Sequence, residues 1–124
     1  MESKRQRQVA ELIKRNFSTV LQQEGPYVYG AEPLVTVTQV PPTPDLSQCK
    51  IYLSIWNTEN KQDVLVQMNE EHHRLKQGLA TRVRKHIRRI PSIAFYIDET
   101  LDEMNRVEDL FDRLYEEGEM PEEE

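Results

Sequence analysis

Two hydrophobic periods alternate along this chain, and each change of period marks an element. From Arg5 to Glu24 apolar residues recur at Val9, Leu12, Ile13, Phe17, Val20 and Leu21, the i, i+3, i+4 spacing that lays one helical stripe against a core. Gly25-Pro26 predicts the end of that helix. Residues 25–33 hold two Gly, two Pro, Tyr27 and Tyr29 and read as a loop. From Leu34 to Val40 the period drops to two, with Val35, Thr36, Val37 and Thr38 supplying β-branched side chains, which predicts a strand. Pro41-Pro42-Thr43-Pro44-Asp45 removes ladder donors and forces a turn. Cys49 to Trp56 predicts a second strand, with Ile51, Leu53 and Ile55 on one face and Tyr52, Ser54 and Trp56 on the other. That alternation suits a sheet covered chiefly on one side.

Helical character returns from about Asp63 to Ile87, with Leu65, Met68, Leu75, Leu79, Val83 and Ile87 on one stripe. On a single unbroken helix, at about 100° per residue, His72 would fall in the centre of the apolar arc and Lys76 inside it. Either a kink near residues 71–78 rotates the two halves, with Gly78 a weak point, or the helix is unbroken, with His72 hydrogen-bonded at the core edge and Lys76 snorkelling. Ile90-Pro91 predicts the end of this segment. Ile93, Phe95 and Ile97 alternate with Ala94 and Tyr96 as a third strand. A last helix over about 99–114 opens with Thr100 and Glu103 at capping-box spacing and carries Leu101, Met104, Val107, Leu110, Phe111 and Leu114 on one face. Residues 115–124 read as an acidic disordered tail.

The 124 residues suffice for one domain, over 1–114, with that tail behind it. The order helix, strand, strand, kinked helix, strand, helix predicts an α+β, two-layer sandwich with helices on one face of a three-stranded sheet. It is the element order of a type II KH domain, in which a Gly-x-x-Gly loop clamps the nucleic-acid backbone. The four glycines, at 25, 30, 78 and 118, supply no such loop.

The net charge of −6 argues against a polyanion partner until it is located. Residues 1–97 hold 14 Lys or Arg against 9 Asp or Glu, whereas residues 98–124 hold 2 against 13. No carboxylate lies between His72 and Ile97, a window containing Arg74, Lys76, Arg82, Arg84, Lys85, Arg88 and Arg89. A second basic group opens the chain: Lys4, Arg5 and Arg7, followed by Lys14 and Arg15. On an unbroken helix Arg74, Arg82, Lys85, Arg88 and Arg89 would gather away from the apolar stripe. Arg74, Lys76, Arg82, Arg84, Lys85, Arg88 and Arg89, with Lys4, Arg5 and Arg7, are the candidate RNA contacts, through phosphate neutralisation; a solvated helix face is the plainer alternative. Tyr52, Trp56 and Tyr96 could stack on bases, although burial or a place on the sheet face is the commoner fate of such residues.

Several segments together resemble bacterial ribosome-binding factor A. They are Val37-Thr38-Gln39-Val40, Thr43-Pro44-Asp45-Leu46, Ile51-Tyr52-Leu53-Ser54, the run Arg82 to Pro91, then Phe95, Asp98 and Leu101-Asp102-Glu103. The likeness spans residues 4 to about 115. In that family an Ala-x-Gly kink between two helical halves replaces Gly-x-x-Gly; here its position falls on Glu71-His72-His73, with neither Ala nor Gly. The resemblance implies a KH-like factor that binds the immature small (30S) ribosomal subunit and 16S rRNA, promotes late maturation and 5′ end processing, and dissociates, without catalysis or cofactor. A second reading is a protein-interaction module that docks through the acidic C-terminal helix.

Enzyme readings find less support. His72, His73 and His86 have no Cys or carboxylate partners at a metal-ligand spacing. Cys49 begins a strand with no partner base and reads as a buried structural thiol. Glu108-Asp109 belongs to a run of like charges. No apolar run approaches the roughly 18 residues of a membrane span, and the opening Met-Glu-Ser-Lys-Arg-Gln-Arg leads into no signal-like stretch. The expectation is therefore a cytoplasmic protein, monomeric when free.

Overall fold

The structure, a computed structural model, describes residues 2–99. The element order is α1 (Lys4–Tyr29), β1 (Leu34–Gln39), β2 (Gln48–Trp56), α2 (Lys61–Glu70), α3 (His72–Val83) and β3 (Ser92–Ile97). The predicted last helix and tail lie outside the described residues.

Helix α1 starts at a capping box. The Gln6 N–H donates to Ser3 Oγ at 3.1 Å and the Ser3 N–H donates to Gln6 Oε1 at 2.8 Å, so two otherwise orphaned amides are satisfied. Its stripe, Val9, Ile13, Phe17, Val20 and Leu21, is buried as the spacing requires, with Leu12 packed against the core edge. The expected stop at Gly25-Pro26 is not observed: the helix continues one more turn to Tyr29. A residue before proline is normally driven out of helical geometry by its own Cβ, and Gly25 has none. The Tyr29 side chain folds over the place where a Cβ on Gly25 would lie. The turn then ends at Gly30, whose φ of 93° suits glycine.

The sheet order is β1-β2-β3, with β1 antiparallel and β3 parallel to the central β2. Ile51, Leu53 and Ile55 of β2 are fully buried and face the helices. Val37 and Val40 join them from the β1 side, and Ile93 and Phe95 from β3. The Phe95 ring stacks on Phe17 of α1 with centroids 5.6 Å apart. A bulge between Val37 and Gln39 re-aims Thr38. Its hydroxyl donates to Asp98 Oδ2 at 2.6 Å, tying the two edge strands together across β2. The Thr43-Pro44-Asp45-Leu46 turn is held by the Asp45 carboxylate, which accepts from Thr43 Oγ1, Ser47 N and Ser47 Oγ. These bonds favour the ionised form and hold the Asp45 carboxyl at about 2.

The second helical segment begins two residues earlier than expected, capped by Asn60, whose side chain accepts from Gln62 N and Asp63 N. It is broken at Glu71 (φ −105°, ψ 26°), where the resemblance places the family's kink. Gly78 is not the weak point. It lies inside α3, where a Cβ would stand 3.2 Å from Val20 Cγ1, so glycine serves the close approach of α1 and α3. With the break in place, His72 sits half-buried at the core edge, donating from Nε2 to the Ile93 carbonyl at 2.8 Å, its ring 5.4 Å from that of Phe95. The kinked alternative is thus the one realised and the unbroken helix is not, although the hydrogen bond at the core edge forms all the same.

A further correction concerns the end of the segment. Helix α3 stops at Val83, and Arg84 to Arg89 form a turn and bend, so Ile90-Pro91 is not what closes it. Like charges at Arg84/Arg88 and Lys85/Arg89 would repel at i, i+4 on a helix. The turn also lets Ile87 and Pro91 reach the core before β3 begins. Arg84, Lys85, Arg88 and Arg89 therefore project from a turn and not from a helix face.

Candidate nucleic-acid interface

Helices α1 and α3 pack antiparallel. Arg74 Nε donates to Glu24 Oε1 at 2.7 Å near one end, and Arg82 Nε donates to Asn16 Oδ1 at 3.2 Å further along. The direction has a consequence for charge. It brings the start of α1, with Lys4, Arg5, Arg7 and Arg15, beside the turn that follows α3. A depression of about 650 Å³ is lined by Lys4, Arg5, Arg7, Arg15 and His86 over an apolar floor of Val9, Leu12 and Ile87, with Glu11 also in its wall. A smaller one of about 180 Å³ runs from Arg5 to Arg88 and Arg89, beside Leu46 and Pro91, with Asp45 also in its wall. Arg5 belongs to both, so the basic start of α1 and the His86–Arg89 stretch form one continuous cradle, with Arg84 and Lys85 on the same turn.

These cations are not consumed by internal pairs. Among the described residues, none of Lys4, Arg5, Arg7, Arg15, Arg84, Lys85, Arg88 and Arg89 forms an ion pair. The first turn of α1 carries no acid. Three cations near the positive end of a helix dipole oppose its stability by roughly 0.3–1 kcal/mol each. An arriving phosphate reverses the sign of that interaction, because it meets the dipole and the guanidinium groups at once.

The cradle is positioned by Gln6, which the charge pattern alone does not single out. It is buried, and its Nε2 donates to the Pro42 carbonyl at 3.1 Å, pinning the first turn of α1 to the β1–β2 loop. The visible signal was the Ser3-x-x-Gln6 spacing. His86, which the sequence groups with histidines lacking a metal-ligand spacing, lines the cradle.

Two expected contacts lie elsewhere. Arg74 is engaged by Glu24 and stands over the Tyr27 ring, 5.4 Å from its centroid, toward the C-terminal end of α1. Lys76 is half-buried on the early part of α3, away from the cradle. Arg82 lies between, on the last turn of α3. Tyr52, Trp56 and Tyr96 occupy the open face of the sheet, which no helix among the described residues covers, with Tyr52 half-buried and the other two exposed. Cys49 is buried, and burial, with the Glu2 carboxylate adding to it, pushes its thiol up to about 12. Among the described residues no helix is long and apolar enough to cross a membrane.

The family model for ribosome-binding factor A matches residues 5–111. The chain belongs to the ribosome-binding factor A family. It is 35% identical to ribosome-binding factor A of Cytophaga hutchinsonii over 114 residues, 92% of this chain and 85% of that protein. It is 35% identical to that of Chlorobaculum parvum over 107 residues, 86% and 87% of the two chains. The crystal structure of ribosome-binding factor A from Thermus thermophilus shares the fold, with a TM-score of 0.60 at 24% identity over 74% of this chain and 94% of that one. A homology model of the Thermus thermophilus factor, fitted into a cryo-electron microscopy map of a 30S complex, matches with a TM-score of 0.56 at 27% identity, covering 73% and 91%. The α+β fold expected from the resemblance is thereby confirmed.

Proposed function

We propose that this protein binds the immature small ribosomal subunit by setting its cradle on the 16S rRNA backbone. It promotes late maturation and 5′ end processing there, and then dissociates. It acts by binding, with no catalytic step of its own, as a monomer when free, in the cytoplasm where ribosomes are assembled. Membership of the ribosome-binding factor A family and the 30S complex of the Thermus thermophilus relative support the partner. The observation that carries the surface is the meeting of residues 4–15 with residues 86–89 in one cradle whose cations lack internal ion pairs among the described residues. Phosphate contacts of this kind fix position and register and read little sequence, which suits a factor that recognises a folded rRNA surface.

Counterion release makes the affinity fall with salt, by about 0.7–0.9 in the logarithmic slope for each phosphate engaged. Replacing Arg84, Lys85 and Arg88 together by Glu is expected to abolish co-sedimentation with small subunits at moderate salt. Single replacements by Gln should each lower the salt slope by about 1. Co-sedimentation of the triple variant at the parental level would overturn the assignment of this surface. Arg74→Gln, outside the cradle and engaged by Glu24, is expected to leave the slope unchanged.

A further inference from the structure

Helices cover one face of the sheet, and the other face carries a separate constellation. Because β2 and β3 run parallel in register, Tyr52 lies beside Tyr96, with ring centroids 5.5 Å apart. Lys50 Nζ stands 5.6 Å from the Tyr96 centroid, and Lys61 Nζ stands 5.0 Å from that of Trp56. Tyr96 remains 41% exposed and Trp56 37%. Beside Tyr96 the outward positions shorten to Ala94 and Ser92, and across from them the Pro41–Thr43 segment lines a depression of about 350 Å³. That is the size of a small-ligand cleft, about 300–1,000 Å³. Outward-facing positions of β2 and β3, every second residue from Gln48 to Trp56 and from Ser92 to Tyr96, include no Asp or Glu.

We propose that this face is a stacking platform for the unpaired bases of single-stranded RNA. Tyr96 and Trp56 supply the ring surfaces, and Lys50 meets a phosphate of the same nucleotides. Aromatic side chains on a sheet surface accept any base, because every base has a π face. Charge selects this occupant over an apolar protein segment. Such a segment would bury the Lys50 ammonium that stands over the Tyr96 ring without bringing a counter-charge, whereas each nucleotide brings its own phosphate. The platform is distinct from the cradle: it engages bases on the sheet, and the cradle engages backbone at the helix ends. Either surface can therefore fail without the other.

Trp56 is the only tryptophan, so intrinsic fluorescence of the full chain reports directly on this face. A mixed-sequence single-stranded RNA octamer is expected to quench it, and an eight-base-pair RNA duplex, whose base faces are hidden, is not. Tyr96→Ala should weaken binding of the single strand about tenfold, a typical loss for one stacked base, and leave duplex affinity unchanged. Tyr96→Phe should retain single-strand binding, and an unaltered melting temperature in this variant checks that the sheet is intact. The cradle triple variant should lose affinity for both RNAs while keeping the single-strand preference. Equal losses on single and double strands in Tyr96→Ala, or no loss, overturn the proposal. So does carbodiimide cross-linking of Lys50 to a carboxylate of residues 100–124 in the free chain, which would assign the face to the chain's own acidic segment. Cross-linking of Lys50 to a small-subunit protein in the complex, with no cross-link from thiouridine-bearing RNA to the Tyr52 or Tyr96 peptides, would assign it to a protein and overturn the proposal as well.

Discussion

Replacing Gln6 by Ala tests whether the cradle is built on a structural joint. Gln6 is 7% exposed and makes three hydrogen bonds: its amide N–H to Ser3 Oγ, its Oε1 from the Ser3 N–H at 2.8 Å, and its Nε2 to the Pro42 carbonyl at 3.1 Å. The Ala variant keeps the first and loses the other two. Losing half of a capping box costs about 0.5–1 kcal/mol. Leaving the buried Pro42 carbonyl without its donor costs about 1–3 kcal/mol. At the lower end of these ranges the sum is about 1.5 kcal/mol, which for a domain of this size lowers the melting temperature by about 6–12 °C. Urea unfolding of the parent, Gln6→Ala, Ser3→Ala and the double variant separates the contributions. Ser3→Ala should cost about 1 kcal/mol, and the double variant less than the sum of the two, because the cap is shared. Gln6→Glu can still accept from the Ser3 N–H, but it sets a buried carboxylate oxygen against the Pro42 carbonyl oxygen, a desolvation and repulsion cost that outweighs the retained cap bond, so it should be no more stable than Gln6→Ala. Gln6 is uncharged, so a fall in RNA affinity measured well below the melting temperature reports misplacement of Lys4, Arg5 and Arg7 and not a lost charge. A Gln6→Ala variant within about 0.5 kcal/mol of the parent, below the smallest cost of the lost carbonyl donor, would refute the reasoning.

Two further outcomes can be checked on the protein alone. The Cys49 thiol, pushed from 9.0 to about 12 by burial, should resist iodoacetamide at pH 8 in the folded protein and react fully in urea; alkylation at the rate of a free thiol would contradict the burial. The raised value means that the fold holds the neutral form, so its contribution to stability is complete below about pH 9 and is lost as pH rises from there toward 12. Gly78→Leu should destabilise the protein by about 1–3 kcal/mol through overpacking against Val20, where even a Cβ approaches to 3.2 Å. A neutral result in thermal unfolding would show that α1 and α3 separate more easily than their packing implies.

The charge split and the order of elements were legible because both are local. A stripe such as Val9, Ile13, Phe17 and Val20 states which side of a helix must leave water, and Ile51, Leu53 and Ile55 state the same for a strand. The conflict at His72 was legible too, since no single helix could bury its neighbours and spare it. What resolved the conflict was not local. Glu71 has no intrinsic reason to break a helix; the break follows from α2 packing on the sheet while α3 packs on α1. The stops were misplaced for a related reason. Gly25-Pro26 reads as a terminator unless the glycine's missing Cβ is weighed against the proline ring. Ile90-Pro91 looks like the end of a helix that had already ended at Val83, seven residues before Ile90.

By itself, the sequence determined the three strands, the helical stripes, the buried thiol and the fact that a net charge of −6 conceals a basic body. Periodicity settles which face of an element is buried, because burial repeats with the geometry of the backbone. It carries no information about which end of one element lies beside which end of another. The tertiary structure decided that the antiparallel packing of α1 and α3 would bring residues 4–15 against residues 86–89, and that Arg74 would be taken by Glu24 at the other end. It also placed β3 parallel to β2, which sets Tyr52 beside Tyr96 on the open face. Charge and aromatic surface become a site only when separate segments are held within one ligand's reach, and long-range packing alone sets that distance.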